Sequence, residues 1–136
     1  MTDIEFNEFR NKIGNLMIIS AALWLLIIIA QFFIGIFTLI FGYGIATLLI
    51  MIYNIVNLVR YFKSISRIKS KTNYVGREAF YNYFSNGFGI SVIFMFINLI
   101  LGGVVGFLGN LYDMILSLYV TNKKEAILNP ALNNLD

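Results

Sequence analysis

Two tracts of this chain contain no charged residue, and their lengths decide what it can become. Ile13 to Val59 runs for 47 residues without Asp, Glu, Lys or Arg, and Ala79 to Tyr112 runs for 34. About 20 apolar residues cross the hydrocarbon core of a bilayer. Both tracts exceed that length. Charged residues make up only 12% of the chain, against about 25% in an ordinary soluble domain. The pattern predicts an all-α, polytopic integral membrane protein, because a helix satisfies its own backbone polar groups where no water is present.

The first tract is too long for one helix and fits two. Its turn-prone residues are Gly35, Thr38, Gly42 and Gly44. The GYG triplet at 42–44 predicts a long helix from about Gly14 to Phe41 and a second from about Ile45 to Phe62, whereas a turn at Gly35 would balance the lengths better. Glycine is the residue that reaches positive φ without penalty. The same triplet occurs in potassium filters, but a filter needs its whole loop from four subunits, so no filter is expected. The second tract fits either one helix with an amphipathic tail or two short helices, Gly87 to Leu101 and Val104 to Thr121, turning at Gly102-Gly103. The 18 residues of the last segment are about 27 Å long as a helix, just enough to span.

Charge favours four spans as two hairpins. Residues 60–78 carry Arg60, Lys63, Arg67, Lys69, Lys71 and Arg77 against Glu78, and such a cluster belongs on the cytoplasmic side. Four spans place Arg10, Lys12, Lys123 and Lys124 on that same side and leave both turns uncharged; three spans would move Lys123 and Lys124 outside. The expected organisation is an N-terminal cytoplasmic or interfacial segment (1–12), a first hairpin (13–62), a basic amphipathic linker (63–83), a second hairpin (84–121) and a short tail (122–136). The first twelve residues mix Asp3, Glu5 and Glu8 with Arg10 and Lys12, the wrong charge for a cleaved signal. The expected home is a plasma (inner) membrane, with the linker facing the cytoplasm.

The two halves share a weak repeat. FRNKIGNLMIIS (9–20) aligns with FYNYFSNGFGIS (80–91), TLIFG (38–42) with NLILG (98–102), and GIATLLIMIYNIV (44–56) with GVVGFLGNLYDMI (103–115). Asn54 then matches Asp113. Halves running in the same direction imply a two-fold axis along the membrane normal.

Asp113 falls near the middle of the last span. An ionisable side chain at that depth is costly and usually faces the bundle interior. Asp113 with Asn110, Asn98 and Asn54 is the candidate ion or proton site, and a structural account competes equally, since Asn, Gln and a protonated Asp join membrane helices by hydrogen bonds. An interfacial position for Asp113 is the third alternative. Gly102, Gly106 and Gly109 form a small-residue face suited to close helix packing. At the N-terminus Thr2 and Glu5 fit a capping box, with Phe6, Phe9 and Ile13 on one face of a short helix resting on the membrane. In the linker, Phe62, Ile65 and Ile68 recur at spacing three beside Arg60, Lys63, Arg67, Lys69 and Lys71, a pattern suited to anionic lipid. The basic cluster is explained by topology, and no nucleic-acid motif accompanies it.

The chain has no cysteine and no histidine, which removes disulfides, thiolate chemistry, the usual general base and the commonest metal ligand. No metal or cofactor is expected, and one acid without a companion makes an enzyme the least expected class. The leading expectation is an accessory or scaffold protein acting through helix contacts, as a homo-oligomer or in a larger membrane complex. A small channel or carrier using Asp113, and a membrane-shaping hairpin protein, are the alternatives.

Overall fold

Helix α1 (Asp3–Phe37) starts at a reciprocal cap. The Glu5 backbone N–H donates to Thr2 Oγ1 at 3.3 Å, and the Thr2 N–H donates to the Glu5 carboxylate at 2.7 Å. Two of the N–H groups that a helix end leaves without partners are thereby satisfied. The helix does not stop at a membrane surface segment. It continues unbroken for 35 residues, about 52 Å at 1.5 Å per residue.

The remaining elements are α2 (Tyr43–Lys69), α3 (Arg77–Leu101), α4 (Gly103–Thr121) and the short α5 (Lys124–Leu128), with a 3-10 turn at Leu39–Phe41. The computed structural model describes residues 1–70 and 75–129. The fold is an all-α bundle, and α1 to α4 are each long and apolar enough to cross a membrane.

Both tight turns use glycine where the backbone demands it. Gly42 has φ +74° and Gly103 has φ +70°, a region that penalises residues with a Cβ. At the first turn the Ile34 carbonyl accepts twice from Thr38, from its backbone N–H at 3.0 Å and from Oγ1 at 2.6 Å. Gly35 does not turn the chain. It is buried within α1, where the backbone of Gly44 approaches so closely that a side chain at 44 would collide with the Gly35 carbonyl.

Helix α1 is the spine. Its buried residues, Phe6, Phe9, Ile13, Met17, Ala21, Trp24, Ile27 and Gln31 among them, recur every three or four positions, the spacing of one helix face. It packs along α2 and α4, and α3 packs along α4. Opposite this interior, Leu26, Phe37, Ile40, Phe41, Leu49 and Ile100 are exposed.

The basic end of the bundle is more ordered than the sequence predicts. Much of 63–83 is helical, with α2 running to Lys69 and α3 beginning at Arg77. Ile65 and Ile68 are buried in the same core as Phe6, Phe9, Phe80 and Ile127, while Phe62 is exposed. Their apolar face is therefore turned to the protein interior. Phe80 meets Phe6 and Phe84 edge to face, at centroid distances of 5.5 and 5.2 Å, a favourable aromatic geometry. Arg77 clamps the chain ends: its guanidinium donates to the Met1 carbonyl at 2.9 Å, to the Ile127 carbonyl at 3.1 Å and to Asp3 at 2.7 Å.

Candidate functional site

The polar residues singled out from the sequence fall into two groups. The first lies toward the two tight turns. Gln31 of α1 is fully buried and sits at its centre. Its Nε2 donates to Asn98 Oδ1 and to the Gly102 carbonyl, both at 3.3 Å, and its Oε1 accepts from Asn54 Nδ2 at 3.0 Å. Asn54 Nδ2 also donates to Asn98 Oδ1 at 3.0 Å. Three helices are thus joined by side-chain amides, and the α3–α4 turn by its backbone. Gly102 and Gly106 fit around this cluster, since a methyl group on either would strike the Asn98 side chain. Thr47 Oγ1 donates to the Leu101 carbonyl at 2.9 Å, and the Tyr43 hydroxyl donates to the Ile100 carbonyl. These bonds tie α2 to the end of α3.

The second group surrounds Asp113. It does not join the central amides; its partners come from positions that the sequence reading did not single out. Ser20 Oγ donates to Oδ1 at 2.5 Å, Trp24 Nε1 donates to Oδ2 at 2.8 Å and the Tyr61 hydroxyl donates to Oδ1 at 3.3 Å. Ser20 and Trp24 are four residues apart on α1, which places both on one face. Gly109 allows the approach: a Cβ there would lie 2.9 Å from the Trp24 ring and 2.7 Å from Ile27 Cδ1. Among the described residues no lysine or arginine forms an ion pair with Asp113; the ion pair present is Arg77 with Asp3.

Between α2, α3 and α4 lies a cavity of about 510 Å³, with Trp24 at its back. Asp113 and Asn110 line it from α4. Asn110 spends its own amide locally, donating to the Phe94 carbonyl at 3.3 Å and to the Gly106 carbonyl at 3.1 Å. Asn54 lines the inner end, so the amide cluster closes the cavity toward the turns. Tyr53 and Phe94 stack across α2 and α3 at 4.7 Å. Nearer the basic end the lining is Arg60, Ser64, Tyr83 and Asn86. The cavity thus occupies the half of the bundle on the side of the basic residues. Asn98, by contrast, is locked in the amide cluster and is not part of the lining.

Of the described basic residues at the end of α2, Arg60 shares the cavity lining with Asp113, and Lys63, Arg67 and Lys69 are not part of it. Arg60, Lys63, Arg67 and Lys69 are exposed near the end of α2. Lys69 Nζ donates to Asn15 Oδ1 at 2.7 Å. Lys71 lies outside the described residues. The repeat-matched pair Tyr53 and Tyr112 make different contacts: Tyr53 stacks on Phe94, and the Tyr112 hydroxyl donates to the Leu16 carbonyl at 3.2 Å. Among the described residues no group of three or more Asp, Glu, Cys or His side chains converges as a metal site would require.

Comparison with protein-family models, with curated proteins and with solved structures finds no match. The functional reading therefore rests on the geometry alone.

Proposed function

We propose that this chain is an integral membrane protein of two hairpins, α1–α2 and α3–α4, which holds a small molecule in the cavity beside Asp113. The observation that carries the reading is the space itself, largely apolar in its walls with Asp113 and a few other polar groups set into them. Small-molecule sites are clefts of about 300–1,000 Å³ with apolar walls and a few placed polar groups, and the cavity has that size and lining. A bundle whose task was helix contact alone would gain nothing from leaving such a volume beside an acid. The amide cluster blocks a continuous pore, which favours a binding protein or carrier over an open channel.

The membrane setting follows from the four apolar helices and from charge. The end bearing Arg60, Lys63, Arg67 and Lys69 faces the cytoplasm, where anionic headgroups attract exposed basic side chains. Attraction there is electrostatic, because Ile65 and Ile68 are occupied within the bundle. The cavity occupies the half of the bundle nearest this same side. No reaction is assigned: among the described residues of the lining Asp113 has no second carboxylate to share acid–base work.

An accessory role remains the second reading, and α3 favours it. Only Phe80, Phe84 and Asn98 of its 25 residues are buried, leaving most of its surface for lipid, for a second copy or for a larger membrane complex.

Cavity access decides between the readings. The protein has no cysteine, so single cysteines can be placed freely. Ser91→Cys and Ser117→Cys, both in the lining, should react with a membrane-impermeant thiol reagent added to the basic side of oriented vesicles. Ile93→Cys, on the exposed apolar surface of α3, should not. No reaction at 91 and 117 would remove the binding reading and leave the accessory one.

A further inference from the structure

Among the described residues the cavity combines a single acid with aromatic walls, and no lysine or arginine forms an ion pair with that acid. Asp113 holds three neutral donors: Oδ1 accepts from Ser20 and Tyr61, and Oδ2 accepts from Trp24 alone. A carboxylate has about four acceptor positions, so Oδ2 retains capacity on a group that lines open space. Hydrogen bonds from neutral groups orient the carboxylate without cancelling its charge. Around it stand Trp24, Tyr53, Tyr61, Tyr83, Phe84 and Phe94. Aromatic faces attract cations through the ring quadrupole, and desolvation strengthens the effect.

We propose that the Asp113 cavity binds a monovalent organic cation with an apolar body, the charge meeting Asp113 and the body lying against the aromatic walls. This assignment rests on the binding reading given above and names its ligand class. A bare metal ion fits less well, because one carboxylate does not make a coordination shell and the volume far exceeds one ion. An anion would have to face Asp113. The charged groups of the lining are Asp113 and Arg60, with the phenols of Tyr53, Tyr61 and Tyr83. Arg60 is exposed and belongs to the part of the lining nearest the basic end, where its guanidinium can remain in water on its flexible stem.

Trp24 makes the test direct. It is the single tryptophan of the chain, and it lines the cavity while donating to Asp113. Its fluorescence therefore reports on the site without a label. The purified full chain in detergent is titrated with tetraphenylphosphonium and, separately, with tetraphenylborate, an anion of the same shape; empty micelles provide the partition blank. The cation should change Trp24 emission saturably, and the anion should produce no saturable change. Asp113→Asn, which keeps the volume and one acceptor oxygen for Ser20 and Tyr61 but turns an NH2 toward the Trp24 N–H, should weaken the cation at least about tenfold. Phe94→Leu should weaken it about two- to tenfold, in line with the loss of one ring face. Equal saturable responses to both ions, no saturable response to the cation, or unchanged affinity in folded Asp113→Asn would each overturn the proposal. Should Asp113→Asn fail to fold, the comparison of the two ions on the wild-type chain still decides it. Reactive cysteines at 91 and 117 together with indifference to the cation would remove the charge assignment and leave a cavity for another ligand.

Discussion

Replacing Gln31 by leucine tests how far buried amides hold this bundle together. Gln31 makes three hydrogen bonds, to Asn98, Gly102 and Asn54, and through them ties α1 to α2, to α3 and to the α3–α4 turn. Leucine has a similar reach but no polar atoms, so the substitution removes the bonds with little change in volume. In water the gain in apolar burial would offset part of the loss. Between helices in lipid that gain is absent, because the surroundings are as apolar as leucine. Interhelical bonds of this kind average about 0.6 kcal/mol each, with a maximum near 1.7, since the separated helices also find partners. Three such bonds give an expected loss of about 2 kcal/mol. Asn54 and Asn98 retain their bond to each other, so the main group left without a partner is the Gly102 carbonyl. The assay is reversible unfolding in mixed micelles of dodecyl maltoside and dodecyl sulfate, for Gln31→Leu, Asn54→Leu and the double variant. The cycle should show a coupling of about 0.6 kcal/mol or more between the pair. A loss below about 0.5 kcal/mol for Gln31→Leu, with additive single effects, would refute the idea that this cluster closes the turn end of the bundle.

Three further outcomes follow from the contacts. Gly106→Leu should destabilise the fold by about 1–3 kcal/mol, because the side chain strikes Asn98 in a packed interior, whereas Gly89→Leu, which would meet open space, should melt within about 0.5 kcal/mol of wild type; thermal unfolding in detergent checks both. Asp113→Leu should destabilise more than Asp113→Asn, because leucine leaves the donors of Ser20, Trp24 and Tyr61 without their acceptor at about 1–3 kcal/mol for each buried group; equal melting temperatures would show that these bonds contribute little. Arg77→Ala should loosen both chain ends together, since one guanidinium holds the Met1 and Ile127 carbonyls; faster amide exchange in residues 3–8 and 124–128, with the centre of α1 unchanged, is the expected pattern.

The turns were legible because they depend on single residues. Gly42 and Gly103 take positive φ, and glycine marks such positions in any sequence. The four long apolar helices were legible because an uncharged tract reports directly on length. What joins the helices was not. Asp113 announced itself as an acid in an apolar run, yet its partners Ser20, Trp24 and Tyr61 carry no mark of their role in the sequence, and pairing across 52 to 93 positions leaves no local pattern. One clue was present: Ser20 and Trp24 share a face with Met17 and Ile27 on α1. The basic segment shows a different limit. Ile65 and Ile68 have the spacing of an amphipathic helix, and that spacing is the same whether the apolar face meets lipid or protein. The structure places both against α1, where Ile68 and Lys69 lie close to Gly14, a contact that only tertiary packing reveals. The cavity was illegible for the same reason, as it is made by side chains from four helices and belongs to none of them.

The account depends most on both hairpins standing in one membrane with the basic end on one side. Single cysteines at Asp3 and Asn129, near the two ends of the described chain, and at Ile40 and Val104, exposed at the two turns, test this in sealed vesicles of known orientation. The chain contributes no cysteine of its own to confuse the signal. An impermeant thiol reagent added to one side should label 3 and 129 together and spare 40 and 104; added to the other side, it should do the reverse. Labelling of 3 and 129 from opposite sides, or of 40 and 104 from opposite sides, would contradict two parallel-running hairpins and with them the placing of the Asp113 cavity in the cytoplasmic half.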